Sequence, residues 1–343
     1  MPYARTFDGP AAAADLTALF GHQLSLCRVA GGESVVCVTD TAWNPAYGAA
    51  CLAAAMALGA EAGLVTLSAS RPPPARLLAA AFAGADLIVY ATHHTLHYRP
   101  EMRAALDRGA RALCVMQPVH VLERLKGDPE VRRRVRAGAA LLDAAREIRI
   151  ASDAGTDLVM DKTGRRGLAA YGYADVPGHL DFWGGGMAQA AQLEGTTRGR
   201  LVLDVGDAVF HLGRMVESPV AITFADGRIT AIEGGLDAKL IRLHLEEAGD
   251  PNAFLAGHMA FGVDHRAKWL APIVDTPDAG GGGADSEGFA GNVQVEIGSN
   301  DDVLFGGRNR TTVHLGVCCL ATSLWLDGRP VVEAGRLTAP GLG

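Results

Sequence analysis

Short apolar runs alternate with longer helical patterns through about the first 150 residues of the chain. Ser34–Thr39 and Ala62–Leu67 are short, apolar and rich in β-branched residues, which is typical of buried strands. The Ala-rich segment Pro45–Gly59 between them favours a helix. Similar strand-like runs follow at Asp86–Ala91 and Ala112–Met116. Strand, helix and strand repeated at this spacing predict a parallel sheet covered by helices.

An amphipathic helix and a change of pattern mark the end of this region. Glu130–Ala145 has helical periodicity, and Asp128 and Pro129 suit the N-cap and the first helical position. From Glu147 onward, short β-like runs are separated by Gly, Asp and Asn turns. These runs are Glu147–Ser152, Leu201–Val205, Val220–Phe224, Arg228–Glu233, Asn292–Ile297 and Val313–Cys319, with one helix over Ala238–Glu247.

The turns and the two patterns together define the predicted fold class. The Asp226-Gly227 and Asp327-Gly328 pairs are typical of tight β-hairpins. The four glycines of Gly280–Gly283 predict a mobile loop, with a role that the sequence leaves open. We therefore predict an α/β protein, in which an N-terminal parallel-sheet α/β domain over residues 1–148 precedes a β-rich α+β domain over residues 149–343.

Composition and charge narrow the class of function. A length of 343 residues exceeds what one core usually holds, which supports two domains. The formal net charge of −7 disfavours a nucleic-acid partner. No apolar run reaches the roughly 18–20 residues of a membrane helix, and no secretion signal is evident. Without a long apolar run, we expect no membrane partner. The six cysteines lack disulfide or CxxC spacing, so we expect a cytoplasmic protein.

Histidines and carboxylates concentrate in several segments that follow strand-like runs. His93, His94 and His97 come directly after a predicted parallel strand, where ligands bind in open α/β sheets. His179 is followed by Asp181, and such a pair can form a general base with a fixed tautomer. Solvent-exposed loop histidines and a plain glycine-rich loop remain alternative readings of these two segments.

Two distant imidazoles suggest a metal site in the second half. His314 lies in an apolar β-run, where burial requires a hydrogen-bond partner or a metal, and His258 stands between glycine and an apolar stretch. Iron, zinc, copper and nickel all accept imidazole ligands, and a structural role remains open for each histidine. GxSxG, HExxH, Walker-type and dinucleotide-binding motifs are not found in the sequence.

A series of short segments lies in a characteristic order over most of the chain. The segments are Asp40-Thr41, Asn44-Pro45, His97 with Pro100-Glu101-Met102, Gly109-Ala110-Arg111, Gly155–Leu158, Pro177-Gly178-His179, Glu194-Gly195, Gly206-Asp207, His258 with Gly262, and Gly307 through His314. Taken in this order, they resemble the 2,5-dihydroxypyridine 5,6-dioxygenase family, which comprises non-haem iron(II) ring-cleaving dioxygenases related in fold to the aminopeptidase T metallopeptidases.

The resemblance implies a site and its cofactor. His258 and His314 would bind Fe(II), whereas His97 (or His94 in the alternative register), His179 and Glu194 would have catalytic roles. Phe182, Trp183 and Arg308 would contact the substrate. The implied partners are O₂ and a small hydroxylated N-heteroaromatic such as 2,5-dihydroxypyridine. The resemblance further implies a homo-oligomer with an aminopeptidase T-like fold.

One position departs from the family pattern and keeps other functions open. The family expects an aspartate ligand two residues after the second histidine, and Gly316 stands there. Glu194, Asp264 or His265 could supply the third ligand instead, or the metal could be held more weakly. The alternatives are a zinc- or manganese-dependent amidase or peptidase, and a non-catalytic binding paralogue.

Overall fold

The chain forms an α/β structure made of two compact units. The computed structural model describes residues 10–209, 212–269, 284–301 and 305–343, so the predicted loop Gly280–Gly283 lies outside the described residues. The first unit comprises Met1–Asp128 and Tyr171–Gly185, and the second comprises Pro129–Ala170 and Gly186–Gly343. In the described part of the chain, every helix is too short or too polar to cross a membrane.

A five-stranded parallel sheet forms the core of the first unit, as the sequence predicts. Its strand order is β2-β1-β3-β4-β8. The strands are β1 (Ser34–Asp40), β2 (Glu61–Leu67), β3 (Leu87–Ala91), β4 (Arg111–Cys114) and β8 (Leu180–Phe182). The helices of this unit are α1 (Pro10–Leu26), α2 (Pro45–Ala57), α3 (Ala75–Phe82), α4 (Pro100–Asp107) and α5 (Val119–Arg124).

Local sequence explains why α2 begins and packs where it does. The Asn44 side chain accepts a hydrogen bond from the Ala46 N–H at 3.0 Å, and Pro45 occupies the first turn. A Cβ atom at Gly48 would lie 2.7 Å from methyl carbons of Thr39 and Leu64. Glycine therefore lets the helix approach the two strands closely.

Two antiparallel sheets form the core of the second unit. The eight-stranded sheet has the order β14-β13-β10-β6-β5-β18-β19-β20, and the seven-stranded sheet has the order β12-β11-β17-β16-β15-β9-β7. The strands of the first sheet are β5 (Glu147–Ser152), β6 (Asp157–Asp161), β10 (Arg198–Leu203), β13 (Val220–Ala225), β14 (Arg228–Gly234), β18 (Thr322–Leu326), β19 (Arg329–Glu333) and β20 (Arg336–Leu337).

The remaining elements of the second unit are the strands of the seven-stranded sheet and the helices. The strands of the seven-stranded sheet are β7 (Leu168–Ala170), β9 (Met187–Ala191), β11 (Ala208–Val209), β12 (Arg214–Met215), β15 (Ala256–Gly262), β16 (Val293–Gly298) and β17 (His314–Cys319). The helices are α6 (Pro129–Ala144), α7 (Leu236–Glu247), a 3₁₀ helix (Pro251–Phe254) and α8 (Ala284–Gly288). Every residue of β15 and β16 is buried, so polar side chains on these strands are removed from water.

Helix α6 belongs to the second unit, although the sequence pattern predicts it as part of the first domain. The helix packs on β7 and β9. A Cβ atom at Gly138 would lie 2.8 Å from the Cβ of Ala188 and 2.9 Å from the ring of Phe261. Because α6 packs this closely on the sheet of the second unit, that unit begins at Pro129 and not at residue 149 as predicted. Tyr171–Gly185 joins the first unit because β8 pairs with β4.

Candidate metal centre

Three adjacent strands bring His258, Glu296 and His314 together. The possible ligand atoms of these side chains all lie within 4.8 Å of one another. The Nε2 atom of His314 is 3.6 Å from Oε2 of Glu296, and the two imidazole centroids are 5.2 Å apart. Among the described residues, this is the one cluster of three or more His, Cys, Asp or Glu side chains with metal-binding geometry.

The backbone around the cluster determines where these side chains point. The pairing of β15 with β16 shifts register between Ala256 and Met259, which is the irregularity that a β-bulge produces, and His258 lies within it. Gly298, which pairs with His314, has a φ of 108°, and a Cβ atom there would lie 2.2 Å from the Val313 carbonyl oxygen. Glycine at this position permits β16 and β17 to meet beside the imidazole.

The electrostatics of the cluster fit a bound cation. Glu296 is 1% exposed, and its Oε2 accepts no hydrogen bond from any described residue. Burial raises the pKa of Glu296 well above its usual range, and the Glu287 carboxylate adds to the effect. Burial also lowers the pKa of His314 to about 4, against a hydrogen bond with the Ser299 backbone. A divalent metal would compensate the buried carboxylate and bind the neutral imidazole.

Three residues that precede β17, Asn300, Phe305 and Asn309, contact His258 or the strand that carries it. The Phe305 ring lies over the His258 ring, with centroids 4.0 Å apart and planes inclined by 33°. Asn300 donates a side-chain hydrogen bond to the Gly257 carbonyl oxygen at 3.0 Å. The side-chain amide of Asn309 donates a hydrogen bond to the Ala256 carbonyl oxygen at 2.8 Å. An aromatic ring therefore shields the His258 side of the cluster.

Glu194, predicted as a catalytic residue or third ligand, holds the backbone next to Phe305 at Gly306 and Arg308. Its Oε2 is 2.6 Å from Nη2 of Arg165, and its Oε1 accepts a hydrogen bond from the Arg308 N–H at 2.7 Å. Arg165 also donates to the Gly306 carbonyl oxygen. Burial opposes ionisation of Glu194, but these hydrogen bonds and charges outweigh it and lower the pKa. Its carboxylate is committed to structure and lies outside the metal-binding cluster.

The other candidates for a third ligand are also engaged elsewhere. Asp264 is fully buried and forms two hydrogen bonds with the Arg266 guanidinium, at 3.0 and 2.7 Å. His265 is exposed, with Nδ1 3.3 Å from Nη1 of Arg134. The side chain of Arg308, predicted to contact substrate, is 84% exposed. Glu296, which was not among the predicted site residues, supplies the carboxylate of the cluster.

In the first unit, His97 lies among aromatic side chains. It is 5% exposed, and its Nδ1 is 3.1 Å from the hydroxyl of the buried Tyr90. The Phe182 ring meets His97 edge to face with centroids 5.2 Å apart. His94 is held separately, with Nε2 3.0 Å from the Ala69 carbonyl oxygen. The resemblance leaves open whether His97 or His94 has the catalytic role, and His97 is the one that contacts the aromatic rings of Tyr90 and Phe182.

His179, also in the first unit, has hydrogen-bonding and acidic neighbours, whereas Trp183 belongs to the core. Nδ1 of His179 is 3.0 Å from the Tyr171 hydroxyl, and Nε2 is 3.5 Å from Oδ2 of Asp181. Trp183 was predicted to contact substrate, but it is 1% exposed and donates a hydrogen bond to the Leu122 carbonyl oxygen at 3.2 Å. Its ring is therefore a packing element.

Comparisons with known proteins find similarity over nearly the whole chain. A family model for 2,5-dihydroxypyridine 5,6-dioxygenase matches residues 15–339. The 2,5-dihydroxypyridine 5,6-dioxygenase of Pseudomonas putida is 33% identical over 349 residues, which cover 96% of this chain and 98% of that protein. The solved structure of the P. putida dioxygenase has a TM-score of 0.88 and 30% identity, and the match covers 96% of this chain and 99% of that one.

A more distant structure defines the fold. Wild-type AmpT from Thermus thermophilus has a TM-score of 0.63 at 14% identity over 95% of this chain and 99% of its own, which confirms the predicted aminopeptidase T-like fold. The dioxygenase relatives confirm that the chain is an oxidoreductase, and together with the cluster of His258, Glu296 and His314 they indicate a metal cofactor. Since the family model and the P. putida relative both span nearly the whole sequence, this chain belongs to the 2,5-dihydroxypyridine 5,6-dioxygenase family.

Proposed function

We propose that this chain is an Fe(II)-dependent dioxygenase that opens the ring of a small hydroxylated N-heteroaromatic such as 2,5-dihydroxypyridine. The cluster of His258, Glu296 and His314 carries the proposal. Two imidazoles and one carboxylate are the donor set of non-haem Fe(II) oxygenases. Bound iron would supply the redox chemistry that O₂ requires and open coordination positions for O₂ and the ring substrate.

The three side chains would bind the metal through complementary properties. Because burial lowers the pKa of His314 to about 4, its imidazole is neutral at physiological pH and keeps a lone pair for a metal. Glu296 would supply one negative charge in a buried position and thereby offset part of the charge of a divalent cation. Phe305 over His258 would limit the access of water to that side of the centre.

Proton transfer and ring binding are assigned to residues of the first unit on the family resemblance. A hydroxylated pyridine must lose a hydroxyl proton before its ring is opened, and His97 or His179 would accept it. A tyrosine hydroxyl contacts Nδ1 of each imidazole, and the proton would be taken up at Nε2. Phe182, half-buried beside His97, would provide an apolar face for the ring.

The proposal also implies the partners of the chain. O₂ and an aromatic N-heterocycle would be the two substrates, in keeping with the relatives. The resemblance further predicts a homo-oligomer. Light scattering on the purified full chain would give the number of subunits, and a monomer would contradict that prediction.

Oxygen uptake tests the proposed function. Protein loaded anaerobically with Fe(II) should consume O₂ on addition of 2,5-dihydroxypyridine, and His258→Ala should lose this activity. His265→Ala, which removes an exposed imidazole outside the cluster, is the matched control and should retain activity. Amide hydrolysis with zinc or manganese and no O₂ uptake would instead indicate a hydrolase. Pyridine binding without O₂ uptake would indicate a non-catalytic protein.

A further inference from the structure

A chain of polar contacts ends at His179 in the first unit. The hydroxyl of Tyr171 donates a hydrogen bond to Oδ1 of Asp175 at 2.7 Å. The same hydroxyl oxygen is 3.0 Å from Nδ1 of His179. Tyr171 and Asp175 are 4% and 6% exposed, so water competes little for these contacts. The three residues therefore form a short relay inside the protein.

The chemistry of the groups assigns the protons along this relay. An ionised carboxylate only accepts hydrogen bonds, so the single proton of the Tyr171 hydroxyl points to Asp175. The guanidinium of Arg28 lies 3.7 Å from Oδ2 of the same carboxylate. The Tyr171 oxygen can then only accept from the imidazole. Nδ1 of His179 must consequently carry a proton, and its Nε2 carries the lone pair in the neutral ring.

A second carboxylate faces the other side of the same imidazole. Asp181 is fully buried, and its oxygens accept hydrogen bonds from the N–H groups of Tyr171, Gly172 and Phe182 at 3.0, 3.0 and 2.7 Å. Burial raises the pKa of Asp181 to about 6, against the effect of His179 and of these bonds. Oδ2 lies 3.5 Å from Nε2 of His179, which is longer than an ordinary N–H···O hydrogen bond, so its charge would stabilise the imidazolium formed by proton uptake without fixing a proton on Nε2 of the neutral ring.

We propose that Tyr171 and Asp175 are positioning residues that keep the proton of neutral His179 on Nδ1, so that Nε2 accepts the substrate proton. This inference rests on the proposed role of His179 as a proton acceptor. The arrangement uses the same logic as a hydrolase triad, in which a carboxylate fixes the tautomer of the catalytic imidazole. Here the tyrosine hydroxyl transmits that constraint from Asp175.

The tautomer can be measured directly, without any activity assay. In protein labelled with ¹⁵N-histidine, long-range ¹H–¹⁵N correlation spectra distinguish protonated from unprotonated ring nitrogens. Loss of signals in His179→Gln would assign the resonances. Neutral His179 of the wild-type protein should show a protonated Nδ1 and an unprotonated Nε2. In Tyr171→Phe and Asp175→Asn, the proton should move to Nε2 in a substantial fraction of the molecules.

Tyr47→Phe is the matched control, because it removes a buried tyrosine hydroxyl that donates to the Gln117 carbonyl oxygen at 2.7 Å elsewhere in the same unit. The control should leave the His179 tautomer unchanged. An Nε2-protonated His179 in the wild-type protein would overturn the inference. The inference is also overturned if neither Tyr171→Phe nor Asp175→Asn changes the tautomer of His179.

Turnover separates the relay from the proposed function. With Fe(II) and 2,5-dihydroxypyridine, Tyr171→Phe and Asp175→Asn should lower kcat about 10- to 100-fold with little change in KM. A changed tautomer with unchanged kcat would overturn the role of the relay in catalysis and show that His179 is not the proton acceptor. If the wild-type protein does not turn over this substrate, the proposed function fails, and the tautomer measurement still decides the assignment of the protons.

Discussion

Glu296 on β16 lies directly opposite Gly316 on β17 in the antiparallel register of the seven-stranded sheet. Side chains at directly opposed positions share one face of a sheet, with Cβ atoms about 5 Å apart. The family resemblance predicts an aspartate ligand at position 316, where this chain has glycine. We infer that the metal-binding carboxylate has moved by one strand, from position 316 to position 296.

The pairing of Glu296 with Gly316 predicts that an aspartate at position 316 can replace the Glu296 carboxylate as a metal ligand. Glu296→Ala should weaken Fe(II) binding by more than about 100-fold, because a direct ligand matters more than the outer residues that orient ligands. Adding Gly316→Asp to that variant should restore an Fe(II) Kd within about tenfold of the wild-type value. Anaerobic titration with Fe(II) gives the Kd of each protein.

Glu233→Ala serves as the control for the loss of a strand glutamate, since Glu233 is exposed on β14 of the same unit. Its Fe(II) affinity should equal that of the wild-type protein. An unchanged affinity in Glu296→Ala would contradict the shift of the carboxylate between strands. So would a double variant that folds normally and still fails to bind Fe(II).

Glu194→Gln should lower stability and leave iron binding stoichiometric. The substitution breaks the ion pair with Arg165, which should cost about 1–3 kcal/mol in the free energy of unfolding because both side chains are largely buried. Chemical denaturation and iron analysis on the same sample measure the two effects. A folded variant without iron would show that Glu194 is a ligand and that the cluster is wrongly assigned.

Lys162 supports the C-terminal end of α6 from a fully buried position. Its Nζ donates hydrogen bonds to the carbonyl oxygens of Leu142 and Ala145 at 2.5 and 3.1 Å. Lys162→Met should lower the free energy of unfolding by about 1–3 kcal/mol, because both carbonyl oxygens lose their charged donor. Lys239→Met, on the exposed face of α7, should change it by less than about 0.5 kcal/mol. Equal effects in urea denaturation would refute the capping role.

Asp327 should contribute a pH-dependent part of the stability. Its carboxylate accepts hydrogen bonds from the N–H groups of Glu147 and Arg146, which lower its pKa in the folded protein. The contribution is therefore complete above the unfolded pKa of about 4 and is lost as pH falls through the lower folded pKa. Since Asp327 is exposed, Asp327→Asn should cost only about 1 kcal/mol at pH 7.

The measurement is denaturant unfolding at pH 7 and at the lowest pH where both proteins still fold. The difference between wild-type protein and Asp327→Asn should shrink at the acidic pH. Asp153→Asn tests a second exposed carboxylate of the same unit and should show little effect at either pH. A difference that stays constant across the range would rule out the ionised carboxylate as the cause.

Much of the fold follows from local sequence. The β-branched runs predicted β1, β13 and β14 within one or two residues, because such runs pack well in buried sheets. Both Asp-Gly turns are confirmed: Asp226 and Gly227 have φ of 48° and 72°, and Asp327 and Gly328 have 49° and 75°. The strand β15 was missed, because its glycines and alanines give no β-branched signal.

The candidate site was harder to predict, because its third ligand depends on strand pairing. Glu296 alternates with Val295 and Ile297, which in a single sequence resembles a strand with one face in water. In the fold every residue of β16 is buried, and the position of β16 between β15 and β17 sets Glu296 opposite Gly316. The alternation of Gln294 and Glu296 with apolar neighbours was the available signal, and it did not reveal a partner about 20 residues further along the chain.

The iron content of the purified protein tests the central claim most directly. After anaerobic loading with Fe(II) and removal of free metal, the wild-type protein should retain about one iron per chain. His314→Ala and Glu296→Gln should each lose it while keeping the wild-type circular dichroism spectrum. Iron retained in both folded variants, or no iron in the wild-type protein, would contradict a metal centre formed by His258, Glu296 and His314.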